Sequence, residues 1–276
     1  MSRQNNNEVY DSDKTASPIL TEFTNLMRYR DLVRQMTVRA ITIRYKRSVL
    51  GIAWTMLNPL LTMLVMTVVF SSIFRFEIPY YSVYVLAGLI FWNFFSFVTR
   101  QGMADMLASG DLLRRIYIPR TIFVITGALT GVVNLTISLI PMALIMLITH
   151  SPVTWAVLVL PLSILIVFVF ALGVALLLAS SAMFFSDISP IYDVLLVILM
   201  YATPIMYPIT IIPEAWRWLV NINPLTHLLI LFRQPIFEGT LPSWGEFGIA
   251  AGIALAVLMI GWVVFTNKAD EYAYRA

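Results

Sequence analysis

Long apolar stretches alternate with short polar ones along this chain, and the first change is abrupt. Residues 28–47 carry seven basic side chains, whereas residues 48–74 carry no charge. One basic side chain at the centre of a bilayer costs about 2.5–3.5 kcal/mol on insertion scales, so the basic segment stays outside the membrane and the apolar segment enters it. The boundary therefore marks a membrane surface, and its basic side is predicted to be cytoplasmic.

The basic segment has a helical pattern of its own. Its apolar side chains recur at helical spacing and form one stripe: Leu32, Val33, Met36, Ala40 and Ile43. This pattern predicts an amphipathic helix over residues 28–47 that lies in the membrane interface and leads into a spanning helix. The alternative is a solvated basic segment that only sets the orientation of the chain.

The remaining apolar runs predict a polytopic helical membrane protein. Residues 121–186 are 66 residues without Asp, Glu, Lys or Arg, which as one helix would measure about 100 Å. This run must therefore fold back, and His150, Ser151 and Pro152 supply the turn. Six spans are predicted: residues 49–73, 80–98, 122–148, 155–184, 191–207 and 247–265.

The stretch between the last two spans is interrupted by proline. Prolines divide residues 204–246 into apolar pieces too short to cross a bilayer. We predict re-entrant helices over residues 208–240 that enter the outer leaflet and return.

The ends of the chain complete the predicted organisation. Residues 1–27 are polar and predict a flexible cytoplasmic leader, residues 28–270 a single transmembrane domain, and residues 271–276 a cytoplasmic tail. Six spans place both termini in the cytoplasm together with fifteen of the 18 Lys and Arg residues.

Composition agrees with this class and excludes several chemistries. Hydrophobic residues make up 59% of the chain, charged residues 12%, and there is no cysteine. The chain has no Walker A motif for ATP and no HExxH motif, and no predicted span carries an ionisable residue near its middle. We therefore expect a transport subunit rather than an enzyme, with no catalytic residue, metal or cofactor of its own.

Two groups of residues are candidates for function. Tyr84, Phe91 and Trp92 lie in the aromatic second span and are candidates to line a path for ring-shaped groups by stacking, or else to pack in the protein or face lipid. The polar, basic loop over residues 100–120 contains Gly102 and Gly110 as breakers and a short amphipathic turn. It is either a solvated loop or a docking element for a cytoplasmic partner.

Three stretches, in their order and spacing, carry a family resemblance. RYKRSVLGIAWTMLNPLL (44–61), LLRRIYIPR (112–120) and TPIMYPITIIPEAWRWLVNINPLTHLLILFR (203–233) resemble the membrane subunits of ABC transporters that export polysaccharides. The likeness extends over about residues 28–270. LLRRIYIPR is more similar to the O-antigen and teichoic acid exporters than to the capsule exporters.

The resemblance implies partners and a substrate. It implies a homodimer in the inner (cytoplasmic) membrane, paired with two copies of a cytoplasmic ATPase that binds ATP and Mg, and a lipid-linked polysaccharide as cargo. ATPase contacts are implied for residues 28–47 and 102–115, with coupling candidates Asp105, Leu112, Leu113, Arg114 and Arg115. The anionic lipid pyrophosphate head group suits basic side chains at the membrane surface, and the candidates to hold it are Arg44, Lys46 and Arg47.

Other classes remain open at this point. An ABC permease of the same broad fold that exports drugs or lipids shares the predicted spans. A membrane-embedded glycan or lipid transferase would form product without any ATPase, and a passive channel would conduct without nucleotide.

Overall fold

The computed structural model describes residues 18–46, 48–73, 78–110, 118–269 and 271–272. Within these ranges the chain is helical and contains no strand. The described residues form ten α-helices: α1 Pro18–Arg28, α2 Arg30–Tyr45, α3 Ala53–Thr67, α4 Tyr81–Ala108, α5 Thr121–Ile148, α6 Leu160–Phe184, α7 Ile188–Ala202, α8 Arg217–Ile222, α9 Pro224–Phe237 and α10 Trp244–Asn267. The predicted turn at His150 is confirmed, since α5 ends just before it and His150 has a φ of 53°.

Five helical segments are long and apolar enough to cross a membrane: Ala53–Ser71, Tyr81–Ala108, Thr121–Ile148, Trp155–Phe184 and Trp244–Asn267. The prediction of an all-helical membrane protein is thereby confirmed. The predicted fifth span corresponds to α7, which has 15 residues and measures about 22 Å, less than the roughly 30 Å of a hydrocarbon core. It ends at Ala202 instead of residue 207 because Thr203 precedes Pro204 and adopts an extended backbone.

The segment predicted to be a flexible leader is partly helical. Helix α1 begins at Pro18, a residue that suits the first turn of a helix because it lacks an N–H group. It contacts α5 and α10, and Thr121 Oγ1 donates a hydrogen bond to Glu22 Oε2 at 3.2 Å. The prediction of a flexible leader is therefore wrong for Pro18 onward.

Helix α2 is the predicted amphipathic helix, and it lies along α5. Val33 and Thr37 are its buried residues. Ile43, a member of the predicted apolar stripe, is 59% exposed. The helix ends at Tyr45 because Lys46 has an extended backbone.

Helix α4 is the centre of the bundle and packs against α3, α5, α6 and α9. It continues ten residues past the predicted end of the second span. Gly102 does not break it: a Cβ there would lie 3.0 Å from Val124 Cγ1 and 3.1 Å from the Ala175 Cβ, so the absence of a side chain lets three helices approach closely. The segment predicted to be a loop from residue 100 is therefore helical as far as Ala108.

The end of the described chain folds back onto the bundle. Tyr272, in the predicted tail, is fully buried, and its hydroxyl lies 2.8 Å from Ser180 Oγ and 3.1 Å from the Phe265 carbonyl oxygen. Burial raises the pKa of the Tyr272 hydroxyl to about 12. This contact fixes the residues after α10 against α6.

Candidate functional site

A polar cleft of about 550 Å³ opens between α2, α3, α4 and α5. Its charged and polar lining comprises Arg44, Tyr45, Thr55, Asn58, Asn93, Ser96, Arg100, Gln101, Asn134 and Ser138. Among the residues that the structure describes, no carboxylate lines this cleft. Polar and charged side chains within membrane helices cost free energy, and they commonly mark functional sites. This cleft is therefore the strongest candidate site in the part of the chain that the structure describes.

The cleft lies nearer to one end of the bundle, defined here as the α1 end, where α4 ends, α5 begins and α1 makes its contact. Arg100 is eight residues before the last residue of α4, Ala108, a distance of about 12 Å along the helix. Asn134 is thirteen residues after the start of α5, or about 20 Å. Arg100 is therefore close to the α1 end, whereas Asn134 lies halfway along α5, so the cleft extends from near that end to the middle of the bundle.

Tyr45 closes one side of the cleft and fastens the end of α2. Its hydroxyl is hydrogen-bonded to Thr55 Oγ1 on α3 and donates to Asn134 Oδ1 on α5 at 3.2 Å. Ser138 Oγ donates to the Asn134 carbonyl oxygen at 2.9 Å. The two Tyr45 bonds fix the position of the neighbouring Arg44 relative to α3 and α5.

The structure separates the predicted head-group residues. Arg44 lines the cleft, and its guanidinium carbon lies 4.6 Å from the centroid of the Phe97 ring, a cation–π arrangement. Lys46 does not line the cleft and instead lies beside Arg34 and Arg39 on another face of α2. Arg47 lies outside the described residues.

A second cation in the cleft, Arg100, was not among the predicted site residues. Its Nε lies 2.9 Å from Asp193 Oδ1 on α7. Next to it, Gln101 Nε2 donates to Asp105 Oδ1 at 2.7 Å. The available signal was that Arg100 and Asp193 fall at the same predicted membrane face, each at the end of its own span.

The three rings predicted to line a path are buried inside the chain instead. Tyr84, Phe91 and Trp92 are at most 6% exposed. Phe91 packs on Phe232 of α9 with ring centroids 6.1 Å apart, and Trp92 packs on Phe95 at 6.0 Å. A ring enclosed by other side chains offers no face for stacking, so the assignment of these residues to a channel surface is corrected to a packing role.

The predicted ATPase-coupling residues are only partly described. Asp105 is half-buried on α4 and faces α5, where a Cβ on Gly127 would lie 3.1 Å from its Oδ2. Leu112, Leu113, Arg114 and Arg115 lie outside the described residues. The helix ends on either side of them, Ala108 and Thr121, are at the α1 end of the bundle.

At the opposite end, a group of side chains holds the turn that follows α7. Arg233 is 7% exposed, donates to the Pro204 carbonyl oxygen at 2.9 Å, and places its guanidinium carbon 3.8 Å from the centroid of the Tyr84 ring. The Tyr84 hydroxyl donates to the Tyr207 carbonyl oxygen at 2.9 Å. Sequence reasoning placed Arg233 in an outer segment but gave no sign that it is buried.

Comparison with known proteins identifies the family. Residues 31–237 match the ABC-2 type transporter family, and the chain belongs to it. It is 29% identical over 251 residues to the O-antigen export system permease protein RfbA of Myxococcus xanthus, and the aligned region covers 90% of this chain and 96% of that protein. It is 25% identical over 254 residues to the protein of the same name from Klebsiella pneumoniae, with the same shares covered.

A more distant relative carries another cargo in its name. The polysialic acid transport protein KpsM of Escherichia coli is 24% identical over 244 residues, covering 86% of this chain and 93% of that protein. The chain is thus a membrane permease of a transport family, and its similarity to these permeases extends over nearly the whole of both chains. The family resemblance stated from the three sequence stretches is confirmed.

Proposed function

We propose that this chain is the transmembrane subunit of an ABC transporter that exports a lipid-linked polysaccharide, most closely an O-antigen, across the cytoplasmic membrane. The observation that carries this proposal is the polar cleft with Arg44 and Arg100 in a chain that belongs to the ABC-2 type transporter family. The two relatives named as O-antigen export permeases support the cargo, since the match runs over nearly their full length.

The chemistry of the cleft suits the head of such a lipid. A lipid-linked pyrophosphate is anionic and begins at the cytoplasmic surface, and a guanidinium forms charge-assisted, two-point hydrogen bonds with phosphate oxygens. The amide and hydroxyl groups around the two arginines match the hydroxyls of a sugar attached to that pyrophosphate. Arg44 and Arg100 are therefore assigned to the pyrophosphate, and Lys46 and Arg47 to the approach along the membrane surface.

The proposed topology has six crossings with both termini in the cytoplasm. Helix α7 and the turn over residues 203–207 form the fifth crossing together, and α8 and α9 are re-entrant helices on the outer side. This arrangement puts the α1 end, and with it the cleft, on the cytoplasmic side. Most of the basic residues then lie inside, as expected for an inner-membrane protein.

The energy comes from a separate subunit. The proposed assembly is a homodimer with two copies of a cytoplasmic ABC ATPase, which binds ATP and Mg. The proposed ATPase contacts are helix α2 and residues 102–115, including Asp105 and the amphipathic turn at Leu112, Leu113, Arg114 and Arg115. Family membership supports this surface. It is also supported by two helix ends at the same end of the bundle, Ala108 of α4 and Thr121 of α5.

Affinity purification of the tagged chain from its native membrane tests the proposal directly. We expect a stoichiometric ATPase subunit and a bound lipid-linked glycan, both identified by mass spectrometry. Deletion of the gene that encodes this chain should remove the glycan from the cell surface and leave it on its lipid carrier inside the cell. Normal surface glycan in the deletion strain, with loss of drug resistance or of another lipid instead, would assign the chain to the drug or lipid exporters.

A further inference from the structure

The side chain of Arg100 lies between the cleft and Asp193, and its guanidinium cannot bind a ligand in the cleft and Asp193 fully at the same time. Its side chain lines the cleft, and its Nε also lies 2.9 Å from Asp193 Oδ1, a residue of α7 that does not line the cleft. The two side chains are 51% and 60% exposed. A solvent-accessible ion pair of this kind is weak, so a stronger anion displaces it readily.

Besides a contact of Ser189 Oγ with Met103 Sδ at 3.6 Å, two adjacent bonds attach the first turns of α7 to α4, and this ion pair is one of them. The other is neutral and buried: the Tyr192 hydroxyl donates to Thr99 Oγ1 at 2.7 Å. Thr99 and Arg100 are consecutive on α4, as Tyr192 and Asp193 are on α7. The buried bond does not face the cleft, while the charged bond is open to competition from it.

We propose that an anionic head group in the cleft competes with Asp193 for Arg100, so that occupancy of the cleft loosens α7 from α4. A pyrophosphate carries more charge than one carboxylate and accepts two hydrogen bonds from the same guanidinium, which favours the transfer of Arg100 to the ligand. This inference rests on the proposed function, because it takes the cleft as the site of a lipid pyrophosphate.

The direction of α7 gives the exchange a consequence. From its attachment at Tyr192 the helix runs to residues 203–207, where Arg233 and Tyr84 hold the turn at the opposite end of the bundle. Between these two attachments most of its side chains are exposed, for example Val197 at 55%. A change in how α7 sits on α4 is therefore transmitted to the turn that α9 holds.

The proposed competition predicts the direction in which Asp193 changes ligand affinity, and a purely structural role for Asp193 would not. A ligand that must break the Arg100–Asp193 pair loses part of its binding free energy to that step, and by reciprocity Asp193 weakens ligand binding. Removal of the carboxylate therefore tightens the binding of an anion. We expect the Kd of geranylgeranyl pyrophosphate to fall about two- to five-fold in Asp193→Asn, where five-fold corresponds to about 1 kcal/mol.

The measurement uses the full permease–ATPase complex in lipid nanodiscs, with geranylgeranyl pyrophosphate as the probe and geranylgeraniol as its uncharged counterpart. Asp193→Glu keeps the carboxylate and should keep the wild-type Kd. Glu214→Gln, which removes a carboxylate from another exposed ion pair, with Arg217, should also leave it unchanged. In an Arg100→Gln background, Asp193→Asn should give no further gain.

The outcomes separate the two levels of the argument. A wild-type complex that binds the pyrophosphate no better than the alcohol contradicts the proposed function. A complex that prefers the pyrophosphate but is unaffected or weakened by Asp193→Asn overturns this inference alone. A spin label on Val197→Cys, in a chain with no cysteine of its own, gives a second readout: saturating probe should increase its mobility, and an unchanged spectrum also overturns the inference.

Discussion

Replacement of Arg44 by Gln tests the proposed head-group site most directly. Arg44 lines the cleft beside Phe97, and Tyr45 fixes its position through bonds to α3 and α5. The change removes one guanidinium but leaves a polar side chain of similar length. We expect the concentration of lipid-linked glycan that half-maximally stimulates ATP hydrolysis in the assembled complex to rise.

The size of the effect follows from the contact that is lost. A hydrogen bond to a charged group contributes about 1.5–3 kcal/mol. Arg44 is exposed in the structure, so water screens it and the lower end of that range applies. About 1.5 kcal/mol corresponds to a shift of roughly ten-fold.

Arg39→Gln is the matched control, because Arg39 lies on α2 outside the cleft, beside Arg34 and Lys46. It removes the same charge from the same helix and should shift the half-maximal concentration by less than about two-fold, since screening weakens a charge that does not touch the head group. Equal shifts in the two variants would mean that only the total basic charge matters. No shift in Arg44→Gln would refute the head-group assignment.

Three further predictions concern packing, and all are measured as melting temperatures of the purified complex. Gly173→Ala places a Cβ 2.6 Å from the Leu258 backbone nitrogen and should destabilise the protein by about 1–3 kcal/mol, or about 2–12 °C. The control Gly252→Ala, where the new Cβ has nothing within 4 Å, should leave the melting temperature unchanged. Equal melting temperatures for the two variants would contradict the packing argument. Tyr272→Phe removes the hydroxyl bonded to a buried serine and should cost about 1 kcal/mol, with wild-type stability as the contrary result. Arg233→Lys keeps the charge but loses the flat guanidinium over an aromatic ring, so melting should fall by a few degrees, and an unchanged value would show that charge alone suffices.

The helices that cross the bilayer were predictable because the bilayer imposes a simple rule. A long uncharged run must enter hydrocarbon, and its backbone must then satisfy its own hydrogen bonds by forming a helix. The spans over 122–148 and 155–184 accordingly agree with the structure within one residue. The end of α7 at Ala202 was missed although its cause, Pro204, is local and readable.

The helix from Pro18 and the continuation of α4 through Gly102 were not readable from local pattern. A glycine is a poor helix former on its own, yet at Gly102 its missing side chain lets Val124 and Ala175 approach. The benefit comes from residues far away in the chain. Helix propensity alone therefore predicted a break at Gly102, where the glycine in fact allows close helix packing.

The candidate site was predictable only in part for the same reason. Arg44 was named from its place at a membrane boundary, which is a property of the sequence. Arg100 and Asn134 line one cleft from different helices, and Asp193 of a third helix pairs with Arg100, but their positions along the chain do not show these contacts. The rings at Tyr84 and Phe91 were named as candidates either to line a path or to pack, and the choice between the two depends on where α9 packs.

The sequence by itself determined that the chain is a membrane-spanning helical protein and which family it resembles. The spanning segments follow from the cost of placing charge in hydrocarbon, which acts on each segment separately, and the resemblance rests on three short stretches of sequence. Only the tertiary structure decided that a polar cleft forms between α2, α3, α4 and α5, that Lys46 is excluded from it, and that Arg100 is shared with Asp193. Those features depend on contacts between distant segments, and such contacts are set by how the helices pack together.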